Sequence, residues 1–135
     1  MTDPVIRVVA ALITDSDGRQ LLVRKRGTLS FMQAGGKPEA DETPRAALVR
    51  ELSEELGLDV PEGALTRLGP FTTRAANEPD HRLEAEVFRL ELTSGVADAL
   101  EPRAEIEELR WATPREAAAL GPRLAPLAHL LLPSP

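Results

Sequence analysis

Glu51, Glu54 and Glu55, with Arg50 beside them, are the residues of this 135-residue chain best placed to do chemistry. On a helix, side chains three and four positions apart are neighbours, so the three carboxylates share one side while Leu48, Val49, Leu52 and Leu56 fall within another arc. Like charges at these spacings oppose the helix by about 0.2–0.5 kcal/mol per pair. Mg²⁺, or alternatively Mn²⁺, would offset the repulsion, because hard cations take oxygen ligands and magnesium usually combines a few carboxylates with water and phosphate oxygens. Taken alone, three glutamates are more simply a solvated acidic helix face. Other residues nearby weigh against that simpler account. Gly35-Gly36 lets the backbone turn tightly and approach a ligand, and Glu42 precedes the helix where Arg50 can pair with it and hold the neighbouring carboxylates in register.

With the intervening positions left open, the segment reads Gly36, five residues, Glu42, seven residues, Arg50-Glu51-Leu52, one residue, Glu54-Glu55, one residue, Gly57-Leu58. At a frequency of about 0.1 per specified residue, a chance match is on the order of 10⁻⁵. The segment resembles the Nudix box with every fixed position filled. That resemblance implies a Nudix fold, an α/β/α sandwich with a mixed sheet, and Mg²⁺-dependent hydrolysis of a nucleoside diphosphate linked to another group. A nucleoside triphosphate, including an oxidised one, is the leading substrate class. Carried over by position, Glu51, Glu54 and Glu55 resemble the metal ligands, and in some members the glutamate at the position of Glu51 also helps to activate water. Gly36, Glu42 and Arg50 resemble supporting residues. A further acid often comes from a later loop, and Glu105, Glu107 and Glu108 compete for that part; Glu105 is favoured because some members place an acid at a similar distance before a tryptophan, here Trp111. Ala34 departs from the family, many of whose members carry proline before the glycine pair, and leaves that stretch less rigid.

The elements that must position these residues are legible in outline. Val5 to Thr14 and Gln20 to Arg24 read as strands joined by the turn Asp15-Ser16-Asp17-Gly18, hence a hairpin. Gly35-Gly36 reads as a sharp turn before the helix. Thr43-Pro44 supplies an N-cap and a first-turn proline, and Gly57 a stop, so a helix is expected from Pro44 to Leu56. Leu65 to Thr72 and Glu105 to Trp111 read as strands, and Ala75 to Asp80 as loop. His81 to Leu92 alternates with a slip at Phe88, and Glu84 and Glu86 read equally well as its polar face. Thr113-Pro114-Arg115-Glu116 opens a second helix, and Leu124 to Leu132 a closing one interrupted near its start by Pro126.

The whole chain, residues 1–135, reads as a single domain. The 28% charged and 42% hydrophobic fractions are those of a globular protein, and the longest apolar run is too short to cross a bilayer. A cytoplasmic location is the default. With no cysteine and two histidines, thiolate zinc sites are excluded and any metal must be held mainly by oxygen. A net charge of −6 argues against a nucleic-acid polymer and against no small phosphorylated ligand, since a bound cation reverses the local sign of an acidic site. The expected partner is a small nucleotide-type substrate, with a homodimer left open. Arg24, Arg26 and Lys37 are candidates for its outer phosphates, each with surface solubility as an equal alternative. Gln33 stands between reading a base edge and satisfying a backbone. The competing functions are a non-catalytic nucleotide-sensing or interaction module, and an isomerase of the isopentenyl diphosphate type, which the absence of cysteine disfavours.

Overall fold

The computed structural model describes residues 4–78 and 80–133. Its centre is β1 (Val5–Thr14), which runs parallel to β6 (Arg82–Glu91) from Val5 opposite Arg82 to Thr14 opposite Glu91. Both strands are covered on both faces, which is why β1 reads as a nearly continuous apolar run. The apparent slip at Phe88 has the same cause. Leu83, Ala85 and Val87 pack on one face and Phe88, Leu90 and Leu92 on the other, while the pairing with β1 continues without a shift. β5 (Thr66–Arg74) flanks β6, and β2 (Gln20–Lys25), β3 (Phe31–Met32), β4 (Ala34–Gly36) and β7 (Ile106–Ala112) complete a mixed seven-stranded sheet. Pro79, within the expected loop of Ala75 to Asp80, lies outside the described residues.

Two expectations about the sheet need correcting. The Asp15 turn forms, with Asp15 Oδ1 accepting from the amides of Asp17 and Arg19, but β1 and β2 pair only at Thr14 and Gln20. β2 then turns to β7, and the edge of β1 that a full hairpin would occupy is taken by β4. The glycine pair is therefore strand rather than turn: Gly35 lies opposite Ala10 and Gly36 opposite Val9. A Cβ on Gly35, at φ 154°, would sit 2.0 Å from the Val9 carbonyl oxygen, so close backbone approach is what requires glycine there.

α1 (Pro44–Leu56) has the expected bounds, with Thr43 Oγ1 accepting from the Ala46 amide and Gly57 closing it in the left-handed region at φ 66°. Its Ala47, Leu48, Leu52 and Leu56 pack on Val9, Ala11, Ile13 and Phe88. On the opposite face α4 (Pro126–Leu130) sets Leu127 against Ala10, Ala85 and Val87. α3 (Pro114–Ala119) starts with the Thr113–Glu116 capping box and packs Ala117 near Leu22 and Phe31. The closing helix is shorter than the expected Leu124 to Leu132, because Pro126 sits in its first turn and Leu124 pairs with Phe31 instead. A short helix, α2 (Ser94–Asp98), was not anticipated. Helices cover both faces of a mixed sheet, an α/β/α sandwich. No helix among the described residues is long and apolar enough to cross a membrane.

Leu52 is fully buried between α1 and the sheet. Leu52→Ala is expected to lower unfolding stability by about 2–5 kcal/mol in urea titrations, through lost transfer energy and a residual cavity.

Candidate active site

One guanidinium organises the acidic segment. Arg50 donates from Nε to Glu42 Oε2 at 2.8 Å and from Nη2 to Glu42 Oε1 at 2.9 Å, a bidentate pair. Its Nη1 reaches Glu51 Oε1 at 2.9 Å and Glu54 Oε2 at 3.2 Å, and Nη2 also donates to the Lys37 carbonyl at 3.2 Å. Glu42 in turn accepts from the Glu39 amide at 2.7 Å, so the segment after the glycine pair is tied to the helix. Hydrogen bonding from Arg50, followed by that from the Glu39 amide, pulls the Glu42 carboxyl down to about 2, and the guanidinium's own pKa is raised.

The acidic face divides by environment. Glu54 is exposed. Glu51 is mostly covered and lies so close to Gly36 that a Cβ there would meet its carboxyl carbon at 2.5 Å. Glu55 belongs to the core, at 1% exposure, which corrects the expectation that it lies with Glu51 and Glu54 on an open side. Its Oε1 accepts from the Gly35 amide at 3.0 Å, and its buried Oε2 has no partner among the described residues. Burial pushes the Glu55 carboxyl up to about 8 against the Gly35 hydrogen bond, and the charges of Glu105 and Glu51 add to the rise. Burial also raises Glu51.

Of the three late glutamates, the fold brings Glu105 to this cluster. Glu105 lines the same cavity as Glu51, and its charge acts on both Glu51 and Glu55. Glu107 pairs with Arg26 at 3.5 Å, and Glu108, held low by its hydrogen bond to Arg24, also pairs with Arg110. Glu84 pairs with Arg7 and Arg82, and Glu86 with Arg67, as the polar face of β6.

A cavity of about 390 Å³ opens beside the cluster, within the size range of small-molecule sites. Apolar side chains of β1 and β6 (Ile6, Val8, Leu83), Met32 and Leu127 line it, together with Arg50, Glu51, Glu105, Lys37 and Gln33. Two of the expected phosphate ligands are elsewhere. Arg24 is engaged by Glu108 at 3.0 Å and by the Thr28 carbonyl, and Arg26 by Glu107 and the Ala104 carbonyl. Both arginines are held by carboxylates of β7, and Lys25, at the end of β2, lines the cavity in their place. Arg74, from the end of β5, also lines it, and nothing local in the sequence marks that. Lys25, Lys37 and Arg74 form no ion pair among the described residues. Gln33 is 6% exposed; its Nε2 donates to Gln20 Oε1 at 3.2 Å and its Oε1 is unpartnered among the described residues.

The described residues contain no ready-made cage of three metal-ligating side chains. The donor set nevertheless suits a hard cation that keeps water and phosphate ligands: all oxygen, clustered like charges, and an orphaned buried carboxylate oxygen on Glu55.

The model of the NUDIX domain family matches residues 4–131. The chain is 33% identical over 108 residues to a "MutT-like protein" of Streptomyces ambofaciens, covering 80% of this chain and 64% of that one. To the "CTP pyrophosphohydrolase" of Escherichia coli (strain K12) it is 48% identical over 65 residues, 44% of this chain and 46% of the relative. To an "8-oxo-dGTP diphosphatase" of Proteus vulgaris it is 43% identical over 88 residues, 62% and 73%. The match thus spans less than two thirds of the first two relatives. The solution structure of the E. coli ORF135 protein superposes with a TM-score of 0.66 at 30% identity, over 96% of this chain and 86% of that one.

The raised Glu55 carboxyl has a consequence for stability. Between pH 4.5, its ordinary value, and about 8, the folded state retains a proton that the unfolded state has released. Stability of the metal-free protein is therefore expected to fall as pH rises through that window. In thermal melts with a chelator present, Glu55→Gln should match the parent near pH 5 and melt higher at pH 8; added Mg²⁺ should narrow the gap by favouring the ionised carboxylate.

Proposed function

The chain belongs to the NUDIX domain family, and on that premise we propose that it is a pyrophosphohydrolase acting on a nucleoside triphosphate, including oxidised ones, or on a related nucleotide derivative. The observation that carries the reading is the convergence of Glu51, Glu55 and Glu105 beside a cavity lined by both apolar side chains and the cations Lys25, Lys37 and Arg74, which have no ion-pair partner among the described residues. The names of the matched relatives, which include a CTP pyrophosphohydrolase and an 8-oxo-dGTP diphosphatase, support the substrate class. The proposal treats the chain as a single hydrolase domain working in the cytoplasm.

Each residue then has a physical task. The apolar lining takes the nucleoside, and Lys25, Lys37 and Arg74 take phosphate oxygens, in line with the dominance of positioning and electrostatics in phosphoryl chemistry. Glu51, Glu54 and Glu55 would hold Mg²⁺, or Mn²⁺ in its place, which when bound neutralises diphosphate charge and lowers the pKa of water. Glu51 or Glu105 accepts a proton from the attacking water as its oxygen bonds to phosphorus and the bridging P–O bond breaks. Glu42 and Arg50 keep the segment and helix in register, and Gly36 leaves room for the Glu51 carboxylate.

A panel of nucleoside triphosphates, oxidised triphosphates and nucleoside diphosphate derivatives, incubated with Mg²⁺ and followed by phosphorus NMR, tests the reading. Cleavage of the anhydride is expected; an isomerised diphosphate, or tight binding without turnover at every metal concentration, would instead identify an isomerase or a sensing module. Glu54→Gln and Glu55→Gln should each lower kcat by about 10²-fold or more with the fold intact by circular dichroism. A fully active double variant would remove both from the chemistry. Lys25→Ala should raise KM by roughly tenfold at nearly constant kcat, as expected for loss of uniform phosphate binding.

A further inference from the structure

Glu105 lines the cavity together with Glu51, is exposed, and pairs with no cation among the described residues. With no cation to hold its side chain, its place depends on the backbone around it. Ala104, just before it, has φ 53°, a left-handed conformation that residues other than glycine seldom adopt. The Arg103 amide donates to the Glu55 carbonyl at 2.9 Å, and the Ile106 amide to the Arg103 carbonyl at 3.0 Å. The remaining contacts come from Arg26. Its amide donates to the Glu105 carbonyl at 2.8 Å, its Nη2 to the Ala104 carbonyl at 3.2 Å, and its Nε lies 3.5 Å from Glu107 Oε2. Glu107 is the extra residue where the pairing of β2 and β7 shifts, from Arg24 opposite Glu108 to Lys25 opposite Ile106. A bulge of this kind re-aims the side chains around it.

We propose that Arg26 is a positioning residue: by grasping the Ala104 carbonyl and the bulged Glu107, it holds the strained peptide that keeps Glu105 facing Glu51 and Glu55. This rests on the hydrolase reading above and replaces phosphate binding as the role of Arg26. The side chain is mostly exposed, so substitutions there leave the core untouched.

The test combines Arg26→Met with Glu105→Gln. Arg26→Met is expected to lower kcat about tenfold with KM within about twofold, and to have no further effect in the Glu105→Gln background, since coupled residues are non-additive. Independently of turnover, hydrogen exchange at the Arg26 amide in the metal-free protein should quicken by about tenfold, because that amide bonds the Glu105 carbonyl. Arg26→Lys, which keeps a donor but not the fork, should fall between the parent and Arg26→Met. A raised KM at constant kcat, an equal fractional loss with and without Glu105, or unchanged kcat and exchange would each overturn the proposal. If Glu105→Gln alone retains full kcat, the role given to Glu105 in hydrolysis fails, and the exchange measurement still decides whether Arg26 is a clamp.

Discussion

The Arg50 guanidinium is the interaction on which the acidic segment depends. It donates to both oxygens of the Glu42 carboxylate in the preceding segment, to two carboxylates of its own helix and to one backbone carbonyl. An exposed single ion pair contributes little, but a planar fork engaged on several sides and only 22% exposed fixes geometry as well as charge. Without it, Glu42, Glu51 and Glu54 would repel one another and the segment from Lys37 to Glu42 would lose its tie to α1. Arg50 is shared by Glu42, Glu51 and Glu54, an excess of negative charge that a divalent metal would offset.

The site itself costs stability. Glu55 is a buried carboxyl with one hydrogen bond where a core residue would otherwise sit, and Ala104 holds a rarely used backbone conformation beside it. Such local conflicts persist where surrounding structure over-determines them. Here the surroundings are the paired β1 and β6, and the Leu48, Leu52 and Leu56 face of α1, which anchor the helix whatever its carboxylates do.

The sheet topology explains how the parts meet. Because β1 and β2 separate after Thr14 and Gln20, the edge of β1 is open to β4, and the glycine pair is set between β1 and the carboxylates of α1. The same divergence lets β2 pair with β7, which brings Lys25, at the end of β2, and Glu105, just before β7, to the cavity. Both glycines are required by close approach, Gly35 to the Val9 backbone and Gly36 to Glu51.

Local chemistry was legible in the chain because it is written in neighbouring residues. Thr43-Pro44 and Gly57 delimit α1, the leucine spacing sets its buried face, and the Glu42 and Arg50 pairing follows from charge and reach. The spacing from Gly36 to Leu58 was enough to indicate the family to which the chain belongs. What depends on distant segments was not legible. That Glu55 is buried follows from β4 lying over it, that Lys25 rather than Arg24 or Arg26 meets the cavity follows from the ion pairs that Glu108 and Glu107 of β7 make with the two arginines, and that Arg74 arrives there follows from the end of β5. A sequence alone thus determines what each short segment prefers, through side-chain spacing and capping, whereas solvent exposure and pairing between strands far apart in the chain are settled only when tertiary packing chooses which faces meet.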